Sequence, residues 1–303
     1  MRRAAAPALL LVALAAPACR PGDAGDAGYR AEVEKARAAR LAELTAEDGW
    51  LSLVARHPLS PGENLVGTAP AAAIALDAPG IPARACSLDL RDDGTVVLRP
   101  EPGAPVAVNG APPTAAPLVP EDEGKHDVVT VGRVRLTIFR KEGRILVRAR
   151  DPESPRRSGF RRLAYFPIDR KWRVEATFEP YEPPREVELP SSRGPAQKAP
   201  APGIARFSAD GIAMSLEPIL DGPDDGTLFF VFADATSGVD TYGGGRFLRV
   251  PKPTEGAGTI VLDFNLAENP PCALTPYASC PLAVDRNTLP VRVEAGEKAP
   301  AGH

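Results

Sequence analysis

Apolar and polar residues alternate along most of this chain in short runs punctuated by Gly and Pro, and a period of two predicts a protein built mainly of β-strands. One stretch breaks that rule. Tyr29, Val33, Ala36, Leu41 and Leu44 fall on one face of a 3.6-residue wheel among Glu, Lys and Arg, which predicts a helix over 29–49 ended by Gly49. Its charges are mixed in sign, so its apolar stripe is expected to pack on the module that follows and not on a membrane surface.

Strands are predicted at 72–76, 86–90, 95–98, 106–108, 128–131 and 134–139, and after the turn at Lys141, Glu142 and Gly143 a last one at 145–149. Short strands at this spacing indicate a sandwich over 50–151. Gly67, then Val108, Asn109 and Gly110, then the run 127–132 leading into the strand at 134–139, together resemble a forkhead-associated domain over about residues 60–150. Thr68 stands where that family carries its arginine, and 81–88 holds no serine-x-x-histidine; only Asn109 matches the binding set. The resemblance therefore implies a scaffold without phosphopeptide binding.

A connection containing Arg and Pro follows, and a second β-module is predicted over 152–298, with strands at 172–178, 185–189, 204–208, 212–217, 228–232, 246–250, 259–264 and 291–294. Residues 191–203 are expected to be a polar, proline-punctuated loop, and Asp224 with Asp225 a solvated hairpin turn. The predicted fold class is mainly β: an N-terminal helix, then two β-sandwich or barrel-like modules.

The start of the chain changes where this fold is expected to work. Arg2 and Arg3, an apolar run over 4–16, and Ala16, Pro17 and Ala18 before Cys19 have the layout of a signal peptide over 1–18, with a run too short to span a bilayer. Cys19 after small residues resembles a lipobox, although Ala16 occupies a position where that pattern prefers Leu. Lipidation of Cys19 in the cell envelope or periplasm, and soluble secretion, are the two readings; residues 19–28, rich in Gly and Asp, are expected to be a flexible tether in either. At the other end, 299–303 are expected to be a disordered tail.

Of 303 residues a quarter are charged, with a formal net charge of −3, so no basic field exists for nucleic acid or anionic lipid and no nucleic-acid partner is expected. No Gly-x-Ser-x-Gly or His-Glu-x-x-His element appears in a persuasive context. The three histidines, His57, His126 and His303, do not stand at ligand spacing with the cysteines, so neither a metal nor a cofactor is expected.

The densest group of candidate residues lies between 232 and 298. Asp234, Thr236, Thr241, Tyr242, Arg246, Asp263, Asn265 and Asn269 sit beside apolar strands, where each needs a hydrogen-bond partner. Two readings stand: a polar network that holds loops to the sheet, or a pocket in which Arg246 faces Asp234 or Asp263 and receives a small polar or anionic ligand by its guanidinium fork. The glycines 243–245 would let backbone approach that ligand closely. A hydrolase using Asp263, Asp234 or Cys272 with Arg246 as charge stabiliser, and an envelope scaffold docking through the first module, are the alternatives.

Cys272 and Cys280, with seven residues between them and prolines beside them, are expected to form a disulfide in an oxidising compartment, worth about 2–3 kcal/mol by loop entropy. Metal ligation or a reactive thiol are the other readings, and Cys86, alternating with Leu88 and Leu90, is a core position.

The motifs at 232–238, 241–248, 263–272, 280–282, 287–290 and 295–298 closely resemble the bacterial family called domain of unknown function 1684, over about 29–298. Glu268 and His57 stand where that family carries aromatic residues. The resemblance implies no activity.

Overall fold

The computed structural model describes residues 21–300 apart from 115, 142, 221, 223–225 and 255. The expected leader, Cys19, the Asp224 and Asp225 turn and His303 lie outside the described residues.

Helix α1 (Pro21–Thr45) begins earlier than expected and takes in the residues assigned to a tether. Within it Asp26 pairs with Arg30 at 3.0 Å one turn on. The helix stops at Thr45, whose hydroxyl donates to the Leu41 carbonyl at 2.7 Å. Gly49 follows in a turn so tight that a Cβ there would stand 2.3 Å from the Glu43 carbonyl oxygen.

The first module holds β1 (Leu53–Pro58), β2 (Gly62–Gly67), β3 (Ile74–Ala75), β4 (Cys86–Leu90), β5 (Val96–Pro100), β6 (Val106–Val108), β7 (Val129–Val131), β8 (Val134–Lys141) and β9 (Arg144–Arg150). They form two sheets, ordered β1-β9-β8-β7-β6 and β3-β2-β4-β5. One apolar core containing Val66, Ile74, Cys86, Leu88, Val131, Leu136 and Val147 lies between them, as in a sandwich. Strands β1 and β2 lacked a sequence signal because Arg56 and His57 interrupt one and glycines flank the other. Asn109, at φ 51°, spends its amide on its own loop: Nδ2 donates to Asp127 at 2.6 Å and Oδ1 accepts from the Val128 N–H at 2.9 Å.

A short helix α2 (Pro155–Gly159), capped by the Ser154 hydroxyl, leads into the second part of the chain. There β10 (Arg173–Leu189), β11 (Gln197–Ala209), β12 (Ile212–Leu216) and β15 (Gly258–Asp263) form a sheet in the order β12-β11-β10-β15, while β13 (Thr227–Phe232) and β14 (Arg246–Pro251) pair as a hairpin. The hairpin is covered on both sides. Leu228, Phe230 and Phe232 enter a core with Phe207, Leu262 and Phe264, and Phe229 and Val231 enter another with Val187, Leu189 and Phe247. That double burial explains the unbroken apolar run at 228–232.

Three expectations need correction here. The two runs at 172–178 and 185–189 are one strand, carried through an irregularity between Pro180 and Arg185. Part of the expected loop, from Gln197 to Gly203, is strand, with Pro200 paired to Glu186 and Gly203 to Pro180. Residues 291–294 are not a strand, because the Val293 and Ala295 carbonyls accept from the Arg246 guanidinium in place of a neighbouring strand. The tail is tied at its start, where the Ala299 N–H donates to the Asp240 carbonyl at 2.9 Å. The whole is mainly β, and neither set of sheets closes into a barrel.

Candidate functional site

The eight polar residues singled out from the sequence do not converge on one pocket; the strands distribute them among separate networks. At the end of the hairpin, Arg246 Nη2 donates to Asp234 at 2.6 Å and to the Val293 carbonyl at 3.0 Å, Nη1 reaches the Ala295 carbonyl, and the guanidinium lies 5.2 Å over the Phe232 ring. The other Asp234 oxygen accepts from the Thr236 and Val293 N–H groups, and Thr236 and Thr241 share a hydroxyl bond of 2.9 Å. Arg246 and Asp234 face each other as one reading required, but both side chains are 0% exposed, so their fork grips the chain itself and not a ligand. The hydrolase reading loses its charge stabiliser for the same reason. Nor do the glycines approach a ligand: a Cβ on Gly245 would stand 2.6 Å from the Phe232 oxygen, and one on Gly244 2.6 Å from the Tyr242 ring.

Asp263 and Asn265 belong to a second network, beneath α1. The Tyr29 hydroxyl donates to the Asp263 carboxylate at 3.0 Å and accepts from Asn265 Nδ2 at 2.8 Å, while Asn265 Oδ1 accepts from the Asp169 N–H. Asn265 is thereby the clasp between the helix, the connection and β15. Burial, and then the Asp263 charge, push the Tyr29 hydroxyl far above its ordinary pKa, so it stays a donor.

Asn269 joins a third network. Its N–H donates to Glu297 at 2.7 Å and its Nδ2 to the Lys298 carbonyl at 2.8 Å, while its Oδ1 is buried without a partner. Arg40 closes this network from the helix, donating to the Asn269 carbonyl at 3.0 Å and pairing with Glu268 at 2.9 Å and Glu297 at 3.4 Å.

Beside Arg40 lies a cavity of about 140 Å³ lined by Arg37, Arg40, Tyr165, Leu266, Glu268 and Glu297. Arg37 lies 4.2 Å over the Tyr165 ring and donates through Nη2 to the Phe166 carbonyl at 3.2 Å. Its Nε and the Tyr165 hydroxyl are both buried with no hydrogen-bond partner. Burial pushes Tyr165 up and Arg37 down from their usual values, and lifts Glu268 to about 7 despite the Arg40 pair. A second cavity of about 260 Å³, lined by Tyr29, Arg173, Arg249, Asp263 and Leu266 among others, shares Leu266 with the first. Larger concavities of about 600 Å³ are open and lie elsewhere, one on the outer face of the β10-β11-β12 sheet along Thr177, Arg206, Ser208 and Ser215. We place the candidate site at the small cavity under α1, because Arg37 and Tyr165, whose buried Nε and hydroxyl lack partners, both line it.

Tyr242 sits in a fourth place, with the cysteines. Its hydroxyl and the Cys272 sulfur are hydrogen-bonded at 3.8 Å, and burial lifts its pKa to about 12. No disulfide joins the two cysteines in this structure: Cys272 and Cys280 are free and adjacent, and the Cys272 N–H donates to the Cys280 sulfur at 3.3 Å.

A family described as "Protein of unknown function (DUF1684)" matches residues 158–298, the span that carries all four networks apart from their helix α1 contributions. The chain belongs to the DUF1684 family. An uncharacterized protein of Haloarcula marismortui, solved by solution NMR, is 34% identical over 50% of this chain and 85% of its own, with a TM-score of 0.42. No curated protein matches the chain.

Within this DUF1684 chain, Arg37, Arg40, Tyr165, Glu268 and Glu297 were not among the residues singled out from the sequence as ligand contacts. A signal existed for two of them. Positions 33, 37, 40 and 44 lie on one face of α1, so two arginines stand in line with the buried Val33 and Leu44. A cation on a buried stripe must find a partner or a ligand.

Proposed function

We propose that this protein binds a small molecule bearing a carboxylate or similar acceptor oxygen in the cavity between α1 and the C-terminal β-structure, as an exported protein anchored through a lipidated Cys19. The observation that supports the ligand most directly is the pair of buried, unpartnered donors, Tyr165 Oη and Arg37 Nε, on residues lining one small cavity. A buried donor without a partner costs about 1–3 kcal/mol, which an incoming oxygen would relieve. At about 140 Å³ the cavity falls below the roughly 300–1,000 Å³ of drug-sized pockets, which limits the occupant to a few heavy atoms. Leu266 and Ala267 give it an apolar wall, and Glu268 a carboxyl that can donate or accept near neutral pH. The export part of the proposal rests on the charged, apolar and small-residue order of residues 1–18 before Cys19.

Thermal-shift titrations with formate, acetate and glycine test the ligand reading. The parent protein should gain thermal stability with at least one of them in the millimolar range, and Tyr165→Phe and Arg37→Met should lose that gain while remaining folded. Equal shifts in parent and variants, or none in the parent, would count against it. Intact-mass analysis of membrane and soluble fractions tests the anchor separately: a lipid-bearing Cys19 at the mature N-terminus supports it, and a retained leader refutes it.

A further inference from the structure

We propose that Cys272 and Cys280 are a redox-active dithiol that undergoes exchange with external disulfides, Cys272 attacking and Cys280 resolving. This inference does not depend on the cavity under α1. The two residues are placed unequally. Cys272, in the short 3-10 turn Pro271–Ala273, is half-buried, whereas Cys280 is 4% exposed, packed among Val187, Leu189, Phe229, Val231 and Phe247. The loop around Ser192 pins Cys280 in place: the Cys280 N–H donates to Ser192 Oγ at 3.0 Å, and the Ser192 N–H donates to the Cys280 carbonyl at 2.9 Å. The two side chains lie next to each other, because the Cys272 N–H donates to the Cys280 sulfur at 3.3 Å.

The same contacts assign the roles. The hydrogen bond from Cys280, helped by Ser192 and by the Tyr242 hydroxyl at 3.8 Å, brings Cys272 down to about 6 against the effect of burial. Donation of that bond to Cys272, together with burial, pushes Cys280 far above the ordinary thiol range. Near neutral pH the accessible sulfur is therefore the thiolate and the buried one keeps its proton. The disulfide is a fitting co-substrate because the surroundings are apolar and an exchanging disulfide brings its own leaving group.

The chemistry closes on these two residues. The Cys272 thiolate attacks one sulfur of the external disulfide, whose S–S bond breaks, and the outer sulfur leaves as a thiolate that takes a proton from solvent. Cys280 then gives its proton to solvent and attacks the Cys272 sulfur, which releases the second thiol. The protein dithiol is oxidised and one external disulfide is reduced to two thiols, with no other oxidant needed.

Oxidised glutathione is the probe, applied to the reduced full chain carrying Cys19→Ser and Cys86→Ala, with intact mass and released thiol followed in time. This parent should release two glutathione thiols per chain and retain no adduct, and Cys280→Ser should accumulate one glutathione on Cys272. Cys272→Ser should react at least about tenfold more slowly, since the remaining thiol is buried and protonated. In the parent, alkylation of Cys272 by iodoacetamide should have a pH midpoint near 6. In Cys280→Ala, which leaves no side-chain donor at that position, the midpoint should rise toward the ordinary thiol value of about 8.5. Should Cys280→Ser fail to fold by circular dichroism, the parent's midpoint and thiol release remain decisive. A midpoint in the ordinary thiol range, equal rates for Cys272→Ser and parent, or reaction with hydrogen peroxide but not with oxidised glutathione would each overturn the proposal.

Discussion

Arg246 and Asp234 form an ion pair of 2.6 Å with neither side chain reaching solvent, and through it the β13-β14 hairpin holds the segment around Val293 and Ala295. Removing one partner of a buried pair leaves the other charge stranded, at a cost of about 3–5 kcal/mol, whereas replacing both by apolar groups is far milder. Asp234→Asn and Arg246→Met should each lower the urea midpoint strongly, and the double variant Arg246→Met with Asp234→Leu should lose less than the two single losses added together. An additive double variant would show that the two side chains act independently.

Gly245 adopts φ +94°, and a Cβ there would meet the Phe232 carbonyl at 2.6 Å and the Ala283 Cβ at 2.8 Å. Both contacts involve packed groups that cannot swing away, so Gly245→Ala combines backbone strain of about 1–3 kcal/mol with a clash. Thermal unfolding should show a clear loss of stability. Gly243→Ala, where the nearest atom would be the Gly238 Cα at 3.6 Å, should be close to neutral. Similar losses at both positions would contradict this account.

The strands were legible where one face or both are apolar. Cys86–Leu90 and Val106–Val108 have the predicted bounds, and the run at 228–232 was found because both its faces are buried. Local pattern failed where a distant side chain decides the backbone. Residues 291–294 alternate like a strand, yet the Val293 carbonyl is taken by Arg246, 47 residues away. Site residues were legible by type and not by grouping. Asp, Asn and Arg at strand ends signalled polar networks, but which acid meets which base depends on sheet order. Glu268 and Glu297 meet Arg40 only because α1 crosses the end of the chain, a pairing 257 residues apart for Glu297.

Glu268 sets a pH dependence. Burial lifts its carboxyl from 4.5 to about 7, with Glu297 adding repulsion and Arg40 opposing it. A carboxyl with a raised folded-state pKa binds its proton more tightly in the native protein, so its contribution to stability is complete below pH 4.5 and is lost as pH rises through about 7. Glu268→Gln keeps the neutral shape at every pH. It should resemble the parent near pH 5, exceed it in stability at pH 8, and flatten the parent's decline between those values in denaturant titrations. A variant less stable than the parent at pH 8 would mean that the charged pair with Arg40 outweighs burial.

Tyr29 fastens the helix to the β-structure through a single hydroxyl, which donates to Asp263 and accepts from Asn265. In Tyr29→Phe the ring and its packing against Val33 and Ile168 survive, but Asn265 Nδ2 loses one of its three acceptors and Asp263 one of its donors. Leaving such groups underused costs about 1–3 kcal/mol. The loss should be local, because α1 is held further along by Leu44 against Leu51 and Leu274, and by Arg40. Hydrogen exchange should therefore quicken in the first half of α1, around residues 26–36, and stay unchanged in β13, where Phe230 and Phe232 are fully enclosed. Faster exchange throughout β13 would show that the helix and the core unfold as one unit, and that Tyr29 supports the core as a whole and not the helix alone.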